Sequence, residues 1–145
     1  MIEIANIMST DLVTVGPADN LEKASEIMRS KRIHHLPVVE DDGGLAGLLT
    51  LTDVLAATDS KLRTEDDKIA PGFIMVSDVM TKDVATVDEQ AGLRDAALFL
   101  EKHRIGCLPV VSEGQLRGII TDTDFVAVAI NLLEQIEETD FDDDV

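Results

Sequence analysis

The chain carries one sequence pattern twice, and this duplication is the feature that most limits how it can fold. Residues 4–57 can be laid over residues 76–128. The segment IMSTDLVTV of the first copy matches VMTKDVATV of the second, and RIHHLPVV matches RIGCLPVV. GLAGLLTLTD matches GQLRGIITDTD when one loop residue is dropped. We therefore expect two similar units that pack on each other, because a repeated unit buries its open apolar face against its neighbour.

Each copy predicts the same order of elements, β-α-β-β-α. A short extended segment precedes a helix whose apolar residues, such as Leu21, Ala24 and Met28, recur at helical spacing. Two apolar strands joined by a glycine-containing turn come next. The extended segments are 13–15 and 85–87, and the strand pairs are 36–39 with 45–49 and 108–111 with 116–120.

A second helix is expected to close each copy. It should begin at Thr52 and Asp53, or at Thr123 and Asp124, because short polar side chains can cap a helix N-terminus. In the second copy this helix is predicted to run from residue 124 to residue 136. Its apolar residues Phe125, Val128, Leu132 and Ile136 lie close to one face, which fits either core packing or a subunit interface.

Composition shifts place the boundaries between these units. The first repeat is assigned to residues 1–60 and the second to residues 74–136. Residues 61–73 are polar and charged and end near a Pro-Gly pair, which is typical of a linker. The acidic tail at 137–145 is expected to be disordered.

The charge and the residue content exclude several classes of protein. A net charge of −17, from 29 acidic and 12 basic residues, argues against nucleic acid as a partner, because phosphate contacts need clustered Lys and Arg. No run of about 18 apolar residues is present, so no membrane segment is expected. The N-terminus lacks the basic and apolar parts of a secretory signal. With Cys107 as the single cysteine, we expect a reducing, cytoplasmic setting and no disulfide.

The doubled motifs closely resemble the tandem cystathionine-β-synthase-type (CBS) domain pair, also called a Bateman module. The resemblance rests on the M-[ST]-x-[DK]-x-x-T-V opening, the R-I-x-x-L-P-V-V centre and the closing T-x-T-D, each present twice and in order. It implies an α/β (α+β) fold of two β-α-β-β-α repeats packed sheet to sheet about a pseudo-two-fold axis. It also implies a standalone module with two clefts between the repeats, in which adenosine-containing ligands bind.

The resemblance also assigns ligand-binding residues to the two clefts, each built from both repeats. The closing Asp takes the ribose hydroxyls, and the Thr three positions earlier lies near ribose or phosphate. One cleft would use Thr121, Asp124, Ile33 and His34 with positions near Thr14 and Asn20. The other would use Thr50, Asp53, Ile105 and Gly106 with positions near Thr86 and Gly92.

The physical chemistry of these residues is compatible with that assignment. A carboxylate can accept two hydrogen bonds from vicinal hydroxyls, and a helix N-terminus favours negative charge. Asp53 and Asp124 also fit a role as helix caps alone, and the two roles can coexist. Arg32, His35 and Arg104 are candidate phosphate neighbours, although cations at a helix C-terminus are favourable in any case. Because Gly106 and Cys107 stand where the first repeat has two histidines, the cleft with His34 and Asp124 should suit a nucleotide better.

The sequence offers no support for other chemistry. Adjacent His34 and His35 in an extended strand point to opposite faces and cannot share one metal ion, so no metal site is expected. Cys107 lies in an apolar run, where a free cysteine is usually a small buried hydrophobe. No phosphate-binding loop is present, and no carboxylates form a recognisable acid–base pair.

We therefore predict a non-catalytic regulatory module that needs no cofactor. Its ligand would be AMP, ADP, ATP or S-adenosylmethionine. The negative field of the protein penalises ATP most and a positively charged sulfonium least, a ranking that does not decide among them. A homodimer and a separate enzyme or transporter partner are expected. The alternative is a structural oligomerisation or protein-interaction module with no physiological nucleotide.

Overall fold

A computed structural model describes residues 2–58 and 70–143. The first repeat contains helix α1 (Leu21–Lys31), strands β1 (His35–Val39) and β2 (Leu45–Thr50), and helix α2 (Leu51–Thr58). The second contains helix α3 (Leu93–His103), strands β3 (Cys107–Ser112) and β4 (Gln115–Thr121), and helix α4 (Asp122–Asp143). Each repeat thus holds one antiparallel strand pair and two helices, β1 with β2 and β3 with β4.

The first predicted strand of each repeat is reduced to a single bridge. Val15 pairs in parallel with Val38, and Val87 pairs in parallel with Val110. Two hydrogen bonds hold the first bridge: the Val15 N–H donates to the Pro37 carbonyl at 3.1 Å, and the Val39 N–H donates to the Val15 carbonyl at 2.9 Å. At this one residue the extended chain pairs with the first strand of the hairpin. Valine suits the position in both copies, because β-branched residues favour extended backbone.

The two helices that follow the hairpins begin one residue earlier than predicted. Helix α2 begins at Leu51 and helix α4 at Asp122, so the threonines that end β2 and β4 occupy the capping positions. The Thr50 hydroxyl accepts a hydrogen bond from the Asp53 N–H at 3.1 Å. The Thr121 N–H donates to the Asp124 carboxylate at 2.8 Å. Each pair supplies half of a capping box.

The structure bears on the predicted acidic tail, residues 137–145, and on part of the predicted linker, residues 61–73. Helix α4 continues to Asp143, so residues 137–143 are helical and the predicted disorder is wrong there; residues 144–145 lie outside the described part. Most of the predicted linker, residues 61–69, also lies outside it. Its end does not: Pro71–Phe73 forms a 3₁₀ turn that packs against α1.

The N-terminal segment of each repeat packs on the core of the other repeat. Ile4 is fully buried in the core formed by α3, β3 and β4, and Val76 is fully buried in the core formed by α1, β1 and β2. The Ile4 N–H donates to the Ala91 carbonyl at 3.1 Å, and the Val76 N–H donates to the Asp19 carbonyl at 2.8 Å. The boundaries 1–60 and 74–136 therefore delimit the sequence repeats, while each core takes its first segment from the other repeat.

Paired crossings relate the repeats by a pseudo-two-fold axis. Ser9 pairs with Ile119, and Thr81, which corresponds to Ser9, pairs with Leu48, which corresponds to Ile119. The N–H of Ser9 donates to the Ile119 carbonyl at 2.9 Å, and the N–H of Leu48 donates to the Thr81 carbonyl at 3.0 Å. Because each crossing has its symmetric counterpart, the two clefts between the repeats are also symmetric in backbone.

Helix α4 packs on the core at its start and is exposed further along. Phe125 and Val128 contact the core of the second repeat, as predicted. Leu132 and Ile136, expected on the same face, are more than half exposed. A second stripe, Val126, Ile130 and Leu133, is exposed by 56%, 52% and 57%. Among the described helices, none is both long and apolar enough to cross a membrane.

Candidate functional site

The first cleft lies between the α1–β1 loop of the first repeat and the β4–α4 junction of the second. It has a volume of about 550 Å³. Ile33 and His34 form one wall, and Ile119, Thr121 and Thr123 face them from the other repeat. The structure thus brings Thr121 together with Ile33 and His34, as the crosswise assignment requires. Contact of these residues with a ligand stays a prediction.

Charged side chains of both signs line the first cleft. Arg32, His34 and His35 supply basic groups, and Asp11 and Asp122 supply carboxylates. Arg32 is the C-cap of α1 with a left-handed backbone (φ 55°), a geometry that its counterpart Arg104 shares (φ 52°). Arg32 lines its cleft, whereas Arg104 does not line the equivalent one.

His35 is half-buried and lies on the wall of both clefts. Burial lowers the pKa of its imidazole, because the charged ring would lose hydration; the nearby Asp122 carboxylate opposes this and His34 adds to it. From the sequence, His34 and His35 were expected to point to opposite faces of a strand. In the structure both line the first cleft. The strand begins only at His35, so strict alternation does not apply to His34.

Asp124 stabilises the N-terminus of helix α4 and is not among the residues that line the cleft. One carboxylate oxygen, Oδ2, accepts hydrogen bonds from the Thr121 N–H at 2.8 Å and the Thr121 hydroxyl at 3.3 Å. The cap role considered from the sequence is therefore present. Asp122 and Thr123 line the cleft next to it. A ribose contact through the second oxygen of Asp124 is still a prediction.

The second cleft is the symmetric counterpart of the first and has a volume of about 500 Å³. Thr50 and Leu48 of the first repeat face Ile105 and Gly106 of the second, so three predicted residues meet there. Asp53 does not line it; its N–H is held by the Thr50 hydroxyl.

Other predicted positions lie elsewhere. Asn20 caps α1, its side chain accepting a hydrogen bond from the Lys23 N–H at 2.9 Å. Thr14 lines a separate acidic hollow of about 500 Å³ with Asp19, Glu40 and Asp41. Thr86 and Gly92 line neither cleft; Gly92 is the N-cap of α3. Of the predicted positions, Thr14, Asn20, Thr86 and Gly92 are therefore not among the residues that line either cleft.

The structure adds cleft residues that the sequence reasoning missed. Asp11 and Asp83 occupy matching positions in the two opening motifs and line opposite clefts. Asp122 stands where the first repeat has Leu51, and Phe99 stands where the first repeat has Ile27. For Asp122 and Phe99 the difference between the aligned copies was the available signal, whereas Asp11 and Asp83 are the same residue in both copies and gave none.

Cys107 is buried on the wall of the second cleft. Burial raises the pKa of its thiol to about 12, and the carboxylates of Asp122 and Asp124 add to that shift. The protonated thiol is a weak nucleophile. Across residues 2–58 and 70–143, no three His, Cys, Asp or Glu side chains are grouped to hold a metal ion.

Comparison with known proteins gives the relatives of this arrangement. A CBS domain-containing protein of Dictyostelium discoideum is 31% identical over 137 residues, which is 92% of this chain and 94% of that protein. The crystal structure of a putative acetoin utilization protein from Vibrio cholerae is 39% identical with a TM-score of 0.81, covering 95% of this chain and 97% of that one. The crystal structure of CBSX2 in complex with AMP is 30% identical with a TM-score of 0.79, covering 91% and 98%.

Longer relatives match as well. The chain spans 22% of the length of homoserine O-acetyltransferases from Methanosarcina acetivorans and Methanocorpusculum labreanum. The family model described as CBS domain matches residues 4–60 and 76–131. These two segments make up most of the sequence, and they confirm both the predicted family and its α+β fold. The chain belongs to the CBS domain family and carries two CBS domains in tandem.

Proposed function

We propose that this chain is a non-catalytic regulatory module that binds an adenosine-containing ligand, AMP, ADP, ATP or S-adenosylmethionine, between its repeats. The observation that carries the proposal is the first cleft, where Ile33 and His34 of one repeat meet Thr121 of the other. The relative CBSX2, 30% identical over most of both chains, has a crystal structure in complex with AMP.

The first cleft has the size and lining that such a ligand needs. Its 550 Å³ falls within the roughly 300–1,000 Å³ of small-molecule sites. The apolar side chains of Ile33 and Ile119 can contact a flat base. The Thr121 hydroxyl and the second carboxylate oxygen of Asp124 lie in the same turn at the start of α4, where both could bind a ribose. Arg32 and His34 can balance a phosphate.

Regulation would follow from the position of the clefts between the repeats. A ligand that contacts both repeats favours the packing in which both walls are in place, provided that its affinity differs between the two packings. A change in packing would then act on a separate enzyme or transporter. A homodimer in the cytoplasm is the assembly we expect.

The second candidate function is an oligomerisation or protein-interaction module without a nucleotide. The exposed stripe of Val126, Ile130 and Leu133 on α4 favours it, because contiguous apolar surface often marks an interface. The two functions differ in whether ligand binding exists at all, so a binding measurement separates them.

Isothermal titration of the full chain with AMP, ATP, adenosine and S-adenosylmethionine, at low and high salt, tests the proposal. The protein must first be freed of copurified nucleotide. Saturable micromolar binding by one ligand is the expected result. If folded protein binds none of the four ligands, the result contradicts ligand binding and favours the interaction module.

The variant Asp124→Asn tests the assigned ribose contact. The amide oxygen can still accept from the Thr121 N–H, so the cap survives, while the second acceptor and the charge are lost. Affinity should fall at least tenfold, about 1.4 kcal/mol. Asp53→Asn makes the same change at the symmetric position and tests the closing Asp of the second cleft. Unchanged affinity in both variants would remove the closing Asp from the site.

A further inference from the structure

The two clefts share a backbone plan and differ in the charged side chains on their walls. The first has the permanent cation Arg32 together with His34, and the carboxylates of Asp11 and Asp122. The second has neither: Arg104 does not line it, and Gly106 stands in the place of His34. Its one carboxylate, Asp83, faces the cavity with no Lys or Arg among the lining residues described. A phosphate group would find no guanidinium or ammonium partner in this cleft, whose basic side chains are the imidazoles of His35 and His103.

The second cleft is also more apolar and has an aromatic wall. Phe99 and His103 of α3 line it, with ring centroids 4.2 Å apart and planes tilted by 39°. Their counterparts, Ile27 and Lys31, do not line the first cleft. The neighbouring Cys107 thiol stays neutral because burial raises its pKa to about 12. An aromatic pair beside this uncharged thiol favours a flat, uncharged ring system.

We propose that the second cleft selects a non-phosphorylated nucleoside, with its base against Phe99 and its hydroxyls toward Thr50 and Asp83, while the first cleft takes the phosphorylated form. This inference rests on the proposed function, since it divides one ligand class between two symmetric sites. It assigns selection to Phe99 and Gly106, which stand where the first repeat has Ile27 and His34, and to Arg32, which lines the first cleft only. The protein would thereby respond to the ratio of nucleoside to nucleotide.

Titration of the full chain with adenosine and with AMP measures this selection through stoichiometry. Adenosine should occupy two sites per chain and AMP one. His34→Gly should weaken AMP binding at least tenfold and leave the tighter adenosine site of the second cleft unchanged. Phe99→Leu should weaken adenosine at the second cleft and leave AMP binding unchanged.

A gain of binding supplies the sharper test. Gly106→His places an imidazole where the first repeat has His34. The new Cβ would lie 3.4 Å from the nearest atom, an Asp122 carboxylate oxygen, so it fits without displacement. This variant should bind a second AMP. Gly106→Ala, which adds the Cβ alone, is the matched control and should not, and thermal unfolding checks that both variants fold.

The outcomes separate this inference from the function on which it rests. If neither ligand binds the wild type, the proposed function fails and the selection with it. If AMP fills both clefts with affinities within threefold, ligand binding stands and the selection is overturned. Adenosine bound at a single site, abolished by His34→Gly, would overturn it as well, because the second cleft would then take no nucleoside.

Discussion

At the scale of single residues, burial sets the chemistry of Cys107. Its thiol pKa is raised from 9.0 to about 12, mainly by burial. At pH 8 the thiolate fraction is then about a thousandfold lower than that of an unperturbed thiol, since each pKa unit changes it tenfold. Labelling of the native protein with a thiol reagent such as dithiobisnitrobenzoate should be at least a hundredfold slower than labelling in denaturant.

The denatured chain is the control for the Cys107 prediction, because it exposes the same single thiol without its surroundings. Fast labelling of the native protein would show that the thiol opens to solvent. Such a result would also reopen nucleophilic chemistry at the second cleft, which the protonated thiol argues against.

His35 gives the fold a pH dependence whose sign follows from burial. Its pKa is lower in the folded chain than the ordinary 6.5, so the folded state holds fewer protons on this ring than the unfolded state. The stability that its neutral form provides is complete above pH 6.5 and is lost as the pH falls below it. Urea unfolding at pH 7.5, 6.5 and 5.5 should show a steeper loss for the wild type than for His35→Gln.

The exposed neighbour His34 supplies the matched control for this measurement. His34→Gln removes an imidazole from the same loop without removing a half-buried one. Its curve should lie between those of the wild type and His35→Gln, because burial still lowers the His35 pKa while the repulsion from His34 is lost. Parallel curves for the wild type and His35→Gln would mean that burial of His35 does not penalise its protonation.

At the scale of elements, helix α4 carries an apolar stripe with no partner in the chain that the structure describes. Val126, Ile130 and Leu133 fall on one face at helical spacing and are each more than half exposed. We expect this face to be covered in a homodimer. Ile130→Asp should convert the dimer to a monomer, measured as mass by light scattering, with unchanged helical circular dichroism.

Asn131→Asp is the control for the helix, because it adds the same charge at an exposed polar position. The new carboxylate can still accept from the Gln135 side chain, which bonds Asn131 at 3.0 Å. This variant should remain dimeric. If Ile130→Asp stays dimeric too, the dimer uses another surface, and if the wild type is monomeric the stripe has a different partner.

At the scale of the whole molecule, the repeat explains how much the sequence could predict. Matching copies predicted both hairpins, all four helices and the loops at Ile33 and Ile105 that form cleft walls. Side-chain direction was not predictable: Asn20 and Thr14 flank the right segments but point elsewhere. The packing of Ile4 on the core of the second repeat was not predictable either. The first segments of the two repeats have similar apolar patterns, so the sequence does not tell which core each segment joins.

The crossing itself depends on two glycines, one in the second strand of each hairpin. A Cβ at Gly47 would lie 2.6 Å from the Thr81 carbonyl oxygen and 2.7 Å from the Met80 sulfur. At Gly118 it would lie 2.6 Å from the Met8 sulfur and 2.9 Å from the Ser9 carbonyl oxygen. Only a hydrogen fits at these points, since the opposing backbone is held by the crossing hydrogen bonds.

Gly47→Ala and Gly118→Ala should therefore each lower the free energy of unfolding by about 1–3 kcal/mol, the usual cost of overpacking. Urea unfolding with secondary-structure detection measures it. Gly16→Ala is the control, because its Cβ would meet only ordinary contact at 3.6 Å and should leave stability unchanged or slightly raised. Since the two crossings are symmetric, similar losses are expected at both sites. A loss of stability at one site alone would mean that the two crossings contribute unequally to the free energy of unfolding. No loss at either site would mean that the crossing segments can shift to make room for the added methyl group.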